Sequence, residues 1–550
     1  MSILADRGRR GTGSTPAWPI AYIDRHKVWR NRTSGVRMAG TRVVVVGGGL
    51  GGLSAALELN RRGFEVVVLE RHAQIGGKAS ERLDAGYRWD EGPSIVVMPW
   101  VYRTLFEASG LDPDAYLPLK RLDPAFRVVL SDGRSLDISA SEEGLRDAFA
   151  AIEPADGAGL VKFMAKVDKF AALIGHSYCD RMLETWPQVI WSPLMASAAV
   201  LSPAQGYAAE IDKFFKSPSI RELMYGFPTY SGFDPVKAPA SLAIIPWTII
   251  REGVWYPASG GVHAIPLAIA AACRDAGIEV RTGVEVEAIT LGAFGGVTGV
   301  ETSSGRIEAS AVVSNSDYVH TFKMLRGGPG FGDEVTNLRE GKAQPSGSFF
   351  TVQLGCDRTW EGLAHHILVL TKGSGKVYDE LFERGVFADD PPIYVNCTSV
   401  TDPADAPPGG SNPFVVVGAP PMRPGEEPDR DFEARYADRL IGRLEQAGLP
   451  GLGASAVTRH VTGPGDWRGR FHAFLGSIYG LGNNHNVLGG SFRPLNYRAD
   501  VPGLYLAGGG VQPGAGMPMV VQSGKLAAER IAKDFKMPKP AKRPLAAARR

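Results

Sequence analysis

Apolar positions fall into short buried runs near both ends of the chain, with a long mixed stretch between them. Thr41–Val46 is a run rich in β-branched residues, the pattern of a parallel strand covered on both faces. A glycine turn follows, then helical spacing over Leu53–Arg61. Gly63 ends that helix, and Phe64–Leu69 forms a second buried strand. Together these predict a β-α-β unit of about thirty residues. A second organised block predicts a helix over Val262–Ala276 and strands at Ile278–Arg281, Val284–Leu291, Val297–Glu301 and Ala311–Ser314. A third runs from a strand at Leu504–Ala507 through a glycine turn to a helix at Val520–Phe535. Between the blocks, residues 150–250 read as mostly helical. Residues 330–480 contain strand runs at Phe349–Leu354, Ile367–Leu370 and Phe414–Val417.

This order predicts an interleaved α/β architecture rather than beads on a string. Residues 1–40 are a basic, disordered extension, and 41–115, 251–325 and 496–535 are three parts of one ligand-binding domain. Residues 116–250 are a helical, membrane-associating and substrate region, 326–495 the second part of a substrate domain, and 536–550 a basic tail.

Composition sharpens that picture in two ways. Residues 1–40 carry eight Lys or Arg against two Asp, and the last fifteen carry six and no acid. With a net charge of +2 overall, the body is acidic and the tails are basic. A solvated tail is the ordinary reading of such a segment. No run of eighteen apolar residues marks a spanning helix, and the first forty residues lack an apolar signal core. Met38 stands just before the first strand as an alternative start. Cys179, Cys273, Cys356 and Cys397 are scattered without metal spacing, which predicts reduced core thiols in a cytoplasmic protein and no metal site.

The strongest chemical signal is Val43–Leu57. Gly47, Gly49 and Gly52 fit G-x-G-x-x-G between a strand and a helix. The first glycine makes the turn, the second admits a pyrophosphate to the backbone, and the third packs helix on strand. The helix N-terminus faces the phosphate charge. Glu70 ends the second strand, where ribose hydroxyls need an acceptor. These residues alone indicate a dinucleotide.

The next segments narrow the ligand. Ile75-Gly76-Gly77-Lys78 and Trp89-Asp90-Glu91-Gly92-Pro93-Ser94 resemble the glycine doublet and D-x-G-P-[ST] segment of amine-oxidase-like flavoproteins. Further segments, in family order, resemble the bacterial-type carotenoid (phytoene) desaturases. They are Tyr230–Pro235 with Ala238-Pro239-Ala240, Gly253–Gly261, Val312–Asp317, His365-His366, Tyr394 with Thr401-Asp402-Pro403, Ala406–Gly409, Ser477–Gly480 and Phe492–Asn496. The resemblance spans roughly residues 42–533.

That resemblance implies FAD, held by an FAD-binding Rossmann-like domain. Lys78 and Val286 stand near the cofactor, Gly77, Gly92, Pro93 and Ser94 beside it, and Gly508, Gly516 and Met517 at a closing helix N-terminus. It implies hydride transfer from an allylic C–H of an extended hydrophobic polyene, with loss of a neighbouring proton. Arg221 is the implied polar group near the flavin. The chain departs from the family at Val511-Gln512-Pro513-Gly514, where members often have T-H-P-G, and in lacking acids directly before Arg221. The apolar stretch Trp186–Leu201, with two prolines, and the basic-aromatic Lys213–Lys216 are candidates for peripheral membrane contact. His365 and His366 are adjacent in a strand run, so they are expected to point to opposite faces, and neither is assigned a catalytic role. No nucleic-acid partner is expected. Alternatives are a thirty-carbon or hydroxycarotenoid desaturase or oxidase, a reductase resembling the retinol saturases, and a non-enzymatic lipid carrier resembling the GDP-dissociation inhibitors.

Overall fold

The computed structural model describes residues 41–538 and 540, apart from 140, 176, 186, 189–190, 192–199, 202–204, 230–232, 329 and 483–492. The extension 1–40, most of the basic tail and most of the Trp186–Leu201 stretch therefore lie outside the described residues.

Five parallel strands form the central sheet, in the order Leu504–Leu506, Ala311–Ser314, Arg42–Val46, Glu65–Glu70 and Glu279–Thr282. The first strand sits in the middle because its four valines are buried on both faces. Three distant stretches of chain thus supply one sheet. The helix Leu50–Asn60 follows the first strand, covers one face, and is buried along nearly its whole length. It packs between the helix Ala264–Asp275 and the closing helix Met517–Asp534.

The contact with the closing helix is unusually close. A Cβ on Gly524 would lie 2.3 Å from the Gly51 carbonyl oxygen and 2.7 Å from the Ala55 nitrogen. Ser54 Oγ donates to the Val521 carbonyl at 2.8 Å, satisfying a hydroxyl that the packing buries.

A four-stranded sheet (Gly305–Glu308, Val297–Thr302, Val286–Leu291, Leu325–Gly327) flanks the central one. A seven-stranded sheet lies beyond it. Its order is Ala456–Thr462, Ser348–Cys356, Phe414–Ala419, Ile393–Asn396, His366–Val369, Phe126–Val129 and Ser135–Ile138. Its last two strands come from the N-terminal half, so two distant stretches also build this sheet. All its pairings are antiparallel except that of His366–Val369 with Phe126–Val129. The helices Pro154–Ile174, Pro218–Thr229 and Ile244–Glu252 form the intervening helical layer.

The element boundaries match the sequence pattern closely, with two of the helices opening one turn earlier than periodicity indicated and the helix expected over Val262–Ala276 running from Ala264 to Asp275. The glycine helix begins at Leu50 and the closing helix at Met517. Small residues in those first turns carry no hydrophobic signal. Cys179, Cys273, Cys356 and Cys397 are buried and unbridged. Among the described residues no helix is long and apolar enough to cross a membrane, and no cluster of His, Cys, Asp or Glu is set to hold a metal.

The Gly524 contact sets a test. Gly524→Val forces the two helices apart and should destabilise the fold by about 1–3 kcal/mol, the usual range for overpacking. Thermal unfolding should show a lowered midpoint, and an unchanged midpoint would contradict the packing described.

Candidate active site

A cavity of about 730 Å³ runs between the central sheet and the seven-stranded sheet. One end is built from backbone. Gly47 has φ +97°, a conformation that favours glycine, and its N–H donates to the Leu69 carbonyl at 2.8 Å. Gly49 precedes the helix, which no side chain caps and whose first turn has no acidic residue. The free N–H groups and dipole of that turn make it a site for an anion. Gly52 stands behind the loop rather than on the cavity; its Cβ would lie 2.1 Å from the Gly47 carbonyl oxygen.

Asn315, just past the strand Ala311–Ser314, fills the space the glycines leave. A Cβ on Gly49 would meet its Nδ2 at 2.7 Å, and one on Gly51 its Oδ1 at 2.5 Å. A Cβ on Gly508, which has φ +114°, would lie 3.2 Å from the same Oδ1. Asn315 therefore joins the first and third blocks around the loop. Sequence reasoning quoted its motif but did not single it out.

Glu70 is buried at the end of the second strand. One carboxylate oxygen accepts from Gly48 N and the other from His72 N, both at 2.8 Å. Those donors orient the carboxylate at the cavity wall and leave it further acceptor capacity. The glycine doublet docks on the loop through Gly76 N donating to Gly48 O at 2.9 Å, and Gly77 has φ +57°. Gly92 lies against it, its Cβ position 2.2 Å from the Lys78 carbonyl oxygen, so the two motifs touch backbone to backbone.

Lys78 is buried. Its Nζ donates to the Ile478 carbonyl at 2.8 Å. Burial lowers its pKa, and the charge of Asp317 opposes that shift. Asp317 caps the helix Tyr318–Lys323 by accepting from Val319 N and His320 N. Arg493 is a buried cation that sequence reasoning missed. It donates to the carbonyls of Tyr479 and Gly509, and burial pushes it down to about 10.

The closing helix brings its N-terminus to the same cavity. Gly516 has φ +103°, Met517 begins the helix, and both line the wall with Gly508. Gly47, Gly49, Glu70, Gly77, Lys78, Gly92, Pro93, Ser94 and Val286 line it as well. Gln512, at the departure from T-H-P-G, has a structural part: it exchanges hydrogen bonds with Leu183 and donates to the Arg493 carbonyl.

Away from this polar end the walls are apolar. Leu223, Phe227, Ile245 and Ile249 come from the helical layer, and Leu368 and Val416 from the seven-stranded sheet.

Two expectations need correction. Arg221 is not on the cavity. It lies on the helix Pro218–Thr229, whose Leu223, Gly226 and Phe227 face the cavity; a residue two positions before Leu223 points the opposite way. Its guanidinium donates to the Phe215 carbonyl and pairs with Asp212 at 3.3 Å. His365 and His366 do not diverge: their ring centroids are 4.4 Å apart, because the strand begins only at His366.

The fit to a dinucleotide is specific. A loop that excludes side chains, an oriented carboxylate one strand away and two helix N-termini converge on one cavity. Comparison with known proteins agrees. The model of the family described as flavin containing amine oxidoreductase matches residues 50–532. The chain is 32% identical over 503 residues to a zeta-carotene-forming phytoene desaturase of Myxococcus xanthus, covering 90% of this chain and 94% of that one. It is 29% identical over 506 residues to a 4,4'-diapolycopene oxygenase of Methylomonas sp, covering 90% and 98%. Cyclohexylamine oxidase from Brevibacterium oxydans shares the fold, with a TM-score of 0.56 at 18% identity over 90% of this chain and 99% of that one.

Buried imidazoles make stability depend on pH. Burial pushes His365 down to about 3, helped by Lys120 and Arg88. It pushes His320 down to about 4, helped by His472, Lys323 and Arg71. Unfolded histidine titrates near 6.5, so below that value the unfolded chain binds more protons and the native state loses stability. The unfolding midpoint should fall as pH drops from about 6.5 toward about 4. The fall should be shallower in His320→Gln, and equal slopes in the two proteins would contradict the assignment.

Proposed function

This chain belongs to the flavin containing amine oxidoreductase family, and we propose that it is a carotenoid desaturase acting on a phytoene-like polyene. It is an FAD-dependent oxidoreductase. The observation that carries the substrate reading is the continuity of the cavity: its polar, glycine-built end opens directly onto an apolar channel.

Bound flavin supplies a two-electron acceptor for a hydride. We assign the holding of that cofactor to residues of this chain. The Gly47–Gly49 loop and the N-terminus of its helix take the pyrophosphate. Glu70 accepts from ribose hydroxyls, and Val286 packs at the same end. Gly77, Lys78, Gly92, Pro93 and Ser94 stand along the cofactor. The helix opening at Gly516 and Met517 would turn the positive end of its dipole toward the bound cofactor, where it would favour the reduced, negatively charged form.

The apolar walls do the rest. Leu223, Phe227, Ile245 and Leu368 exclude water and align an extended chain against the cofactor end. Alignment of this kind accounts for a large part of the acceleration. A thirty-carbon polyene or its oxidised form is the second substrate reading, favoured by the similarity to the Methylomonas oxygenase.

A polyene confined to bilayers brings the enzyme to a membrane surface as a peripheral protein, on the cytoplasmic side. Trp191 supports this: it lies in the apolar stretch singled out in the sequence and is 86% exposed. Val236, 62% exposed, adds to the apolar surface.

Flavin-loaded protein incubated with phytoene in liposomes should yield polyenes with longer conjugation, seen as red-shifted absorbance of the extracted pigment. Unchanged phytoene alongside efficient conversion of a different lipid, or a product with fewer double bonds, would contradict the reading.

A further inference from the structure

A buried polar chain runs from Ser94, at the cofactor end of the cavity, into the wall of the apolar channel. Ser94, next to Gly92-Pro93, places its Oγ 2.8 Å from the Tyr394 hydroxyl, and both residues line the cavity. The Tyr394 hydroxyl is also 2.8 Å from His366 Nδ1. Sheet register creates this. Leu368 opposes Tyr394 and His366 opposes Asn396, so His366 and Tyr394 are diagonal neighbours on one face. Phe126 stacks on the His366 ring at 5.1 Å and holds its plane.

The polarity of the chain is set from its inner end. Asn396 Nδ2 donates to the His365 carbonyl at 3.4 Å and approaches His366 Nδ1 at the same distance. A ring nitrogen facing an amide donor is an acceptor, so His366 carries its hydrogen on Nε2. Tyr394 then donates to His366, Ser94 donates to Tyr394, and the Ser94 oxygen keeps lone pairs. His366 Nε2 is buried with no hydrogen-bond partner among the described residues. Such an arrangement is costly inside an apolar wall and asks for a function.

We propose that Ser94, Tyr394 and His366 form the relay that accepts the proton lost in desaturation, with Ser94 Oγ meeting the substrate and His366 Nδ1 as the terminal acceptor. This rests on the desaturase reading. One hydrogen leaves the allylic carbon with both bonding electrons, as the hydride for which oxidised flavin is the acceptor. The C–H bond on the neighbouring carbon then breaks, and its electron pair becomes the new double bond. Its proton goes to Ser94 Oγ, the Ser94 proton to the Tyr394 oxygen, and the Tyr394 proton to His366 Nδ1. The substrate has lost a hydride and a proton, and the relay has gained one proton as an imidazolium. Ser94 is the catalytic group; Tyr394 and His366 act through it.

A weak base suffices here. An allylic cation is a far stronger acid than imidazolium, and what the step needs is an acceptor that is never already protonated. Burial holds His366 well below the usual imidazole range, with neighbouring His365 adding to the effect, and so keeps it neutral.

The test uses full-length, flavin-loaded protein and phytoene liposomes, without oxygen, in H2O and D2O. Tyr394→Phe should keep its flavin yet form the conjugated product about 100-fold more slowly, the scale of a lost general base. The solvent isotope effect of the wild type should disappear in it. His366→Gln should change in the same direction and decides the matter should Tyr394→Phe fail to fold. Independently of turnover, nitrogen NMR of labelled histidine should show His366 with Nδ1 unprotonated and hydrogen-bonded, and that bond lost in Tyr394→Phe. Variants matching the wild type in rate and isotope effect, or a protonated Nδ1, overturn the relay alone. A wild type that converts no polyene overturns the desaturase reading and the relay with it.

Discussion

Everything in this molecule is arranged around a stretch of backbone that has no room for side chains. From Gly47 to Gly52 the chain is pressed between Asn315 on one side and the closing helix on the other. The contacts at 2.1 to 2.7 Å from would-be Cβ atoms are ones that only glycine permits. Because the partners come from near residues 315 and 520, the loop forms only when the first, second and third blocks of the chain are assembled. The binding site and the central sheet are thus one construction, with the other segments inserted between its blocks.

The same closeness organises the charges. Glu70 is held by two backbone donors, Lys78 by the Ile478 carbonyl, and Arg493 by two further carbonyls. The motif Asp90 is tied by the Val262 nitrogen and Tyr256 hydroxyl, and by Arg88, which also grips Asp405. That network fastens the cofactor end to the short helical turn Pro403–Asp405, which joins two strands of the seven-stranded sheet. Buried charges of this kind stay in place because each has a partner with good geometry. Beyond them the channel is apolar, and the Ser94–Tyr394–His366 chain is the exception placed along its wall.

Much of this was legible in the amino-acid order, for physical reasons. Runs of buried β-branched residues mark parallel strands, and glycines at fixed offsets mark places where backbone must approach backbone. Gly47, Gly49 and Glu70 were singled out by a local pattern, and Gly77, Gly508 and Gly516 through the resemblance; all six line the cavity. Asn315 was not singled out, since its importance lies in filling space left by glycines over 250 positions away. Arg493 was hidden for another reason: its partners are the backbone carbonyls of Tyr479 and Gly509, which side-chain patterns do not mark. Arg221 failed because resemblance fixes a position in a motif but not the face of the helix it occupies. The relation between His365 and His366 depended on where a strand starts, a matter of one residue that periodicity does not resolve.

The central claim is that the chain closes around one flavin. The direct measurement is titration of FAD into purified, flavin-stripped protein, following flavin fluorescence and visible absorbance. The account predicts stoichiometric, saturable binding, with perturbed flavin absorbance and release of intact FAD on denaturation. A protein that leaves the fluorescence and absorbance of added FAD unchanged would contradict it.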